Sequence, residues 1–409
     1  MAISLRESVH IGLADILTRK VRTAVTIIGI ILGVTSIMVV LAIVKGMNEF
    51  SIRWMEERGG LNKIEVSPDW QLDYREWSKA KFTFSEINRI KSLLPEAKAF
   101  SPVGVSWSMV VQKGDILFST NVKGVYPDMT IVDEWNAARG RFVSYFDINN
   151  FNNVIVLGST AVKELFGDKD PIGEYVTINN QNLHVIGIMQ EKYLKMQGGF
   201  GDDNALEYMN KQAFIPLTTM TRKLNVNQDI NRLEIKADSP EDAVLLRKKV
   251  QNIVLNLKQG NKYFEVSSAK EEMDEMKQNS KMFMTIFILI AVISLFVGGI
   301  VIMNIMLASI QERTREIGVR LAIGARRLDI FIQFMVQTVL ITTIGGIIGI
   351  LTGYGILSIV GRFLVMKLTA SLSMIYGALI VSVGVGLLFG IAPAVKASNL
   401  DPVIALRNE

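Results

Sequence analysis

The residues from Glu312 to Arg327, ERTREIGVRLAIGARR, set five arginines and two glutamates in one short stretch between two long uncharged runs. The chemistry open to that set is recognition rather than bond making. A fixed pattern of both charges beside the apolar residues Ile317, Val319, Leu321 and Ile323 suits a surface that meets another protein. The alternative is a solvated arginine loop that binds lipid headgroups. Residues typed for catalysis are sparse. His10 and His184 lie far apart, and the chain has no cysteine, so neither a zinc centre nor a disulfide has ligands to build on. The phosphate-binding pattern G-x-x-x-x-G-K-[ST] is absent, as is any Gly-Lys pair. The nucleophile-elbow pattern G-x-S-x-G is absent too. Gly384, Gly386 and Gly390 resemble a dinucleotide motif only in spacing, since they fall inside an apolar run. The many carboxylates between residues 45 and 281 form no evident acid–base pair. No enzyme activity, bound cofactor or metal is expected of this chain.

The elements that position the arginine stretch are apolar. Thr23 to Val44, Met282 to Gln311, Ile330 to Gly361 and Leu368 to Val395 carry no charge. Each reaches the roughly 20 residues that a bilayer core of about 30 Å requires. Buried helices of a soluble domain rarely run so long uninterrupted. The first run is longer than a signal-peptide core and lacks a small-residue cleavage site, so it is expected to remain as an anchor. Arg6, Arg19, Lys20 and Arg22 precede the first run. Arg313, Arg315, Arg320, Arg326 and Arg327 follow the second, and Lys396 and Arg407 follow the fourth, whereas the loop between the third and fourth has only Arg362 and Lys367. The positive-inside rule therefore places both termini and the arginine stretch in the cytoplasm, with Lys45 to Lys281 outside. A net charge of +5, concentrated at membrane edges, argues against nucleic acid as a partner. The spans lack buried charge, with Asn304, Gln333 and Gln337 their most polar side chains, which argues against an ion-coupled transporter. Gly29 and Gly33, and Gly345, Gly349 and Gly353, have the spacing that lets helices approach closely, either within one chain or across a dimer.

The expected organisation is an integral membrane α-helical protein with four transmembrane helices and an α+β extracytoplasmic domain of two subdomains inserted between helices 1 and 2. Residues 1–20 form a cytoplasmic amphipathic helix, from the spacing of Leu5, Val9, Leu13, Ile16 and Leu17 over Ser4 to Thr18. It lies on the membrane surface or against the chain's own spans. The first transmembrane helix, 21–46, continues as a stalk to about residue 58, where Gly59-Gly60 stops it. The outer domain covers 61–268, with one subdomain from about 61–135 and 212–268 and an inserted β-rich one from about 138–211. The stalk and second transmembrane helix cover 269–310, residues 311–327 the cytoplasmic helix, 330–361 and 368–395 the last two spans, and 396–409 a cytoplasmic tail. Within the outer domain, Lys63 to Ser67, Arg232 to Ala237 and Phe264 to Ser267 read as strands, Phe84 to Leu94 as a helix and Asp115 to Tyr126 as strand-rich. Ser239-Pro240-Glu241-Asp242 is a helix start, a capping serine followed by proline and acids. Gln190 to Asn210 is polar and glycine-rich. It is a surface loop or, through Gly199, Phe200 and Gly201, a partner-docking tip with an aromatic anchor.

Nearly the whole chain resembles the MacB/FtsX-like family of ABC transporter permeases. The resemblance rests on TAVTIIGIILGV in the first span and on ARGRFVSYFDINN…VIVLGSTAVKELFGDKDPIGEYVTI…VIGIM from Ala138 to Met189. It continues through IPLTT at Ile215 to Thr219, GGIVIMNIMLASIQERTREIGVRLAIGARRLDI from Gly298 to Ile330, and APAVKASNLDPVIALRNE at Ala392 to Glu409. It implies a permease in a bacterial cytoplasmic membrane that works as a homo- or heterodimer. ATP and magnesium would be bound by a partner ATPase, because the fused ATPase domain of MacB has no counterpart in this sequence. The residues matching the family's coupling surface are Glu312, Arg313, Thr314, Arg315, Glu316, Ile317, Gly318 and Arg320, with the turn at Gly324. The spans would transmit ATP-driven motion to the outer domain, which is called mechanotransmission. The implied partners are an ABC ATPase subunit, a second permease subunit, membrane lipids, and a periplasmic adaptor with an outer-membrane channel or another outer partner. Export of a drug, peptide or lipid-linked substrate is one implied function. Lipoprotein release, as in the LolC/LolE branch, and FtsX-like activation of a cell-wall hydrolase are the others.

Overall fold

A single uncharged run can satisfy its backbone within itself in lipid only as a helix. The computed structural model, which describes residues 20–196, 204–224, 230–364 and 366–407, has four such helices: Lys20–Glu57, Ala269–Glu312, Arg327–Val360 and Leu372–Ser398. Each is long and apolar enough to cross a membrane. The expected amphipathic helix over Ser4 to Thr18 and the tip at Gly199, Phe200 and Gly201 lie outside the described residues. Two compact units make up the chain: Glu49–Gln278, and the helical residues on either side of it.

In the helical unit, small residues set the packing. A Cβ built on Gly29 would lie 2.9 Å from the Cα of Gly298, and one on Gly33 would meet the side chain of Leu295 at 2.5 Å. Those two glycines therefore join the first and second helices. Gly345, Gly349 and Gly353 of the third helix face Ile30, Val34 and Met38 of the first, at 3.2, 3.0 and 3.0 Å from a built Cβ. A glycine stripe with a period of four thus receives a bulky stripe with the same period, as close helix approach requires. Thr35 Oγ1 donates to Gly349 O across this contact at 2.8 Å. Of the two uses open to this spacing, these five glycines serve packing within one chain. The fourth helix extends to Ser398, three residues past the expected end at Val395, and Lys396 continues its last turns.

In the other unit the strands are β1 (Lys63–Pro68), β2 (Ala99–Lys113), β3 (Ile116–Val125), β4 (Ala137–Gly140), β5 (Val154–Leu157), β6 (Tyr175–Ile178), β7 (Gln181–Met189), β8 (Ala213–Pro216), β9 (Arg232–Lys236) and β10 (Phe264–Ser268). They pair in the order β10-β1-β9-β2-β3-β8-β5-β7-β4, with β6 joined to β2 and β7. The β3–β8 and β5–β7 pairs are parallel and the rest antiparallel. The unit is therefore a mixed α/β domain. Helix Pro240–Leu257 starts on Ser239, whose hydroxyl accepts from Asp242 N, and buries Leu246, Val250 and Val254 against Ile64, Val66, Leu233 and Ile235.

Two buried clusters fill the domain, but not with the expected boundaries. The larger holds Ile64, Phe100 and Leu233 together with Val143, Val156, Ile186 and Phe214, so a division near residues 135–138 and 211–212 cuts through it. The smaller takes Val111 and Val122 from β2 and β3 and Ala213 and Ile215 from β8, all expected in the first subdomain. The cause is β2, a strand of 15 residues absent from the sequence reading. Its first residues pair with β9, its last with β3 and β6, and a register shift between Ser106 and Met109 breaks its alternation.

The segment RFVSYFDINN folds around one carboxylate. Asp147 is fully buried and closes a capping box with Ser144. Arg141 holds it with two bonds of 2.5 and 3.0 Å, Ser144 Oγ donates at 2.6 Å and Asn152 Nδ2 at 3.0 Å. Burial works against its charge, but Arg141, Asn152 and Ser144 outweigh burial and hold it well below the ordinary carboxylate range. A lowered folded-state pKa stabilises the domain above the unfolded value of about 3.9, and the contribution is lost as pH falls below it. Asp147→Asn is therefore expected to reduce stability at pH 7 by about 1.5–3 kcal/mol. The gap to the unmodified chain should begin to narrow below about pH 4 and close only as pH falls through the much lower folded-state value. Chemical denaturation of the two chains across that range measures both.

Candidate functional site

The arginine stretch folds as a helix between two spans. The second span ends at Glu312, where Arg313 N donates to Ser309 O and Ile310 O and Thr314 Oγ1 turns back onto Ile310 O at 3.0 Å. A new helix, Thr314–Ala322, begins there with Glu316 in its first turn and Arg320 in its last, the arrangement that suits a helix dipole. Gly324 stops it with φ +97°, a left-handed conformation in which glycine carries no steric penalty. Ala325 N closes the turn onto Arg320 O at 3.0 Å. Asp329 then accepts from Arg326 N to start the third span.

The helix has a fixed face and an open one. Ile317 is buried in the cluster of Ile302, Met306, Ile310 and Ile330, with Leu321 packed against that cluster. Gly318 is buried beneath Ala405, whose Cβ lies 2.6 Å from where a Gly318 Cβ would stand. Arg320 donates to Gln333 Oε1 of the third span at 2.9 Å, so the polar residue inside that span serves to hold the helix. Arg315, Glu316, Val319, Ile323, Arg326 and Arg327 point to solvent. The apolar set read from the sequence therefore divides by helical period. Ile317 and Leu321 go inward, while Val319 and Ile323 stay exposed at 43 and 78%.

Sequence reading missed the partner of this helix. Residues 396–409, expected as a tail, include a helix at Pro402–Arg407 that packs on Thr314–Ala322 through Ala405. Its signal was present: Asp401 accepts from Val403 N at 2.8 Å, and Pro402 occupies the first helical position. Val403 and Ile404 are exposed at 73 and 61%. The unit thus presents two braced helices with apolar side chains among charges and no covering element among the described residues. The packing glycines lie elsewhere, along the spans, and brace the helices that carry this surface.

A second site joins the first helix to the sheet, and its residues were not singled out by sequence. Lys236, 2% exposed, donates to Gly59 O at 2.6 Å and to Glu134 Oε1 at 2.6 Å. Lys192 Nζ reaches Glu57 O at 2.6 Å. Two buried lysines thus bind the carbonyls at the end of the first helix, where Gly59 and Gly60 both have positive φ. Beside them Lys63 contacts Asp133 at 2.5 Å and Glu234 at 3.4 Å. Burial opposes its charge, yet Asp133 and Glu234 hold Lys63 above its usual range. Burial and Glu234 push Asp133 up, whereas Lys63, Lys123 and Arg232 overcome burial and hold Glu234 down. This arrangement cements a joint.

Two family models match the chain: a MacB-like periplasmic core domain over residues 23–253, and an FtsX-like permease C-terminal domain over residues 288–402. The macrolide export ATP-binding/permease protein MacB of Campylobacter jejuni is 32% identical over 414 residues, covering 98% of this chain and 62% of that protein. The chain therefore spans about three-fifths of the length of that relative. The uncharacterized ABC transporter permease YknZ of Bacillus subtilis is 31% identical over 409 residues and matches end to end, covering 100% of both. Among solved structures, the periplasmic region of MacB from Actinobacillus actinomycetemcomitans aligns with a TM-score of 0.45 at 18% identity, covering 56% of this chain and 97% of that one.

Proposed function

The chain belongs to the MacB/FtsX-like family of ABC transporter permeases, and from that membership we propose that it couples ATP hydrolysis on a separate ATPase chain to motion of its outer domain. The observation that carries this reading is the two-faced helix Thr314–Ala322, locked inward by Ile317, Gly318 and Arg320 and open outward through Val319 and Ile323. Such a surface suits a groove on an ATPase. Glu312, Arg313, Thr314, Arg315, Glu316 and Gly324 complete the coupling region. The positive-inside rule, applied to its arginines, supports a cytoplasmic position for it and for both termini.

Motion would leave through the second span, whose helix runs unbroken from Ala269 to Glu312 and follows directly on β10. The first helix leads through the Gly59-Gly60 turn into β1, and β1 and β10 are paired neighbours. Both levers therefore act on one strand pair. We place two subdomains in the outer domain, joined along β2 and β3, because the two buried clusters share those strands. Discrete repacking rather than elastic bending is the mode expected of packed helices.

We assign export as the activity, with a drug, peptide or lipid-linked substrate, a dimer of permease chains, and an outer partner that receives the substrate. The similarity to a protein named for macrolide export favours this over lipoprotein release or hydrolase activation. Affinity purification of the chain from native membranes, with mass spectrometry of the co-purified proteins, tests the central pairing. An ABC ATPase in equal amount is expected, and recovery with no nucleotide-binding protein overturns the proposal.

A further inference from the structure

Among the described residues β10 is the edge of the ten-stranded sheet, paired only with β1. Among the described residues its outer side makes no backbone hydrogen bond. An unpaired edge is a template for another strand unless it is blocked, and β10 has no proline, lysine or bulge to block it. A cavity flanks it on each face. On the polar face, a space of about 290 Å³ is walled by Trp54, Glu65, Ser67, Glu265, Ser267 and Glu272. On the helix-covered face, a space of about 350 Å³ lies between the edge and helix Pro240–Leu257, with apolar walls from Trp70, Val254, Leu255, Phe264 and Val266 and a polar rim from Asp69, Gln71, Gln251, Asn261 and Lys262. Glu265 borders both.

We propose that this edge receives an extended peptide segment of a partner protein, with basic side chains on one face and apolar side chains on the other. A strand added about 4.8 Å beyond β10 would send alternate side chains to opposite faces, into one cavity and then the other. Charge selects the basic face. Among the described residues Glu265 and Glu272 have no ion pair, whereas the two cations that wall the same cavity are engaged, Lys63 by Asp133 and Glu234 and Arg58 over the Trp54 ring at 4.2 Å, and Arg232 is held by Glu65 at 2.8 Å. The apolar face has Phe264, Val266 and Leu255, with Trp70 at its mouth, 75% exposed, as an anchor of the kind that dominates protein interfaces. Main-chain pairing would supply affinity and the two cavities selectivity.

The test uses the full chain in zwitterionic nanodiscs, without nucleotide or ATPase, so its outcome is separate from the coupling proposal. The probe is a fluorescent peptide of alternating lysine and valine. Saturable binding is expected, with slowed hydrogen exchange at residues 264–268. About tenfold weaker binding is expected both for a peptide N-methylated at alternate backbone positions and for the Glu265→Lys/Glu272→Lys chain, whose changed side chains are not buried. Absence of binding, equal binding of the N-methylated peptide, or binding without protection of residues 264–268 overturns the proposal. Protection that appears without peptide and grows with chain concentration assigns the edge to a second copy and overturns it as well.

Discussion

Gly318→Trp is expected to abolish most partner-stimulated ATP hydrolysis in a reconstituted complex while leaving membrane insertion intact. Gly318 is buried on the fixed face of its helix, and a single added carbon would already stand 2.6 Å from Ala405 Cβ. An indole needs far more room, so either helix Pro402–Arg407 is displaced or Thr314–Ala322 tilts away from Ile330 and Gln333. The first result strips one helix from the two-helix surface, and the second moves Val319 and Ile323 relative to the span that should receive the push. A coupling free energy of about 1–3 kcal/mol corresponds to a loss of about 5- to 150-fold. Gly318→Ala should fall between the two, because the neighbour it meets is a methyl group rather than backbone. The outer domain should unfold at an unchanged temperature in both variants, which separates lost coupling from lost folding. Full stimulated activity in Gly318→Trp would show that this helix is not where the ATPase engages.

Lys63→Met is the second large effect, and it falls on the outer domain. Lys63 is the cation that contacts both Asp133 and Glu234, whose exposures are 3 and 4%. Removing it leaves two carboxylates facing each other in a buried site, and breaking a buried pair in this way costs about 3–5 kcal/mol. For a domain of this size, each kcal/mol shifts the melting temperature by about 2–4 °C. Thermal unfolding of the outer domain should therefore move down by roughly 6–20 °C. Lys63→Met together with Asp133→Leu should recover part of the loss, because it removes one of the two stranded charges. A shift below about 1 °C in Lys63→Met would mean that the cluster does not stabilise the joint.

The sequence was most legible where one requirement dominated. Uncharged runs, needed in lipid, located the four long helices, and a capping serine before Pro240 located the helix over the sheet. Alternation worked at Arg232–Lys236 for the strand itself but not for the burial of its polar face. The charged Glu234 and Lys236 of that strand are 4 and 2% exposed, because the turn after the first helix and the residues near Asp133 cover that face. Period-two reading missed β2 altogether, since its first seven residues are buried on both faces and its register shifts midway. The domain boundaries failed for the same reason, as a single long hairpin feeds both cores.

At the candidate site, the charges of Glu312 to Arg327 gave its place in the chain, and helical period then decided which apolar residues remain available. What no local pattern could show was the second helix. Pro402–Arg407 is too short to stand alone, since isolated helices of that length are unstable, and it forms because Ala405 closes over Gly318. The arginine stretch is therefore one half of a two-helix surface.

The chain contains no cysteine, so a single introduced thiol reports without background. The most direct test of coupling places a spin label at Leu117→Cys, an exposed position of the outer domain, in the purified permease–ATPase complex. The distance between labels of the two permease chains is then recorded without nucleotide and with ATP trapped in the ATPase. The account predicts a distance distribution that shifts on trapping and a Gly318→Trp complex that does not respond. Identical distributions in the two states, in a complex that still hydrolyses ATP, would contradict it.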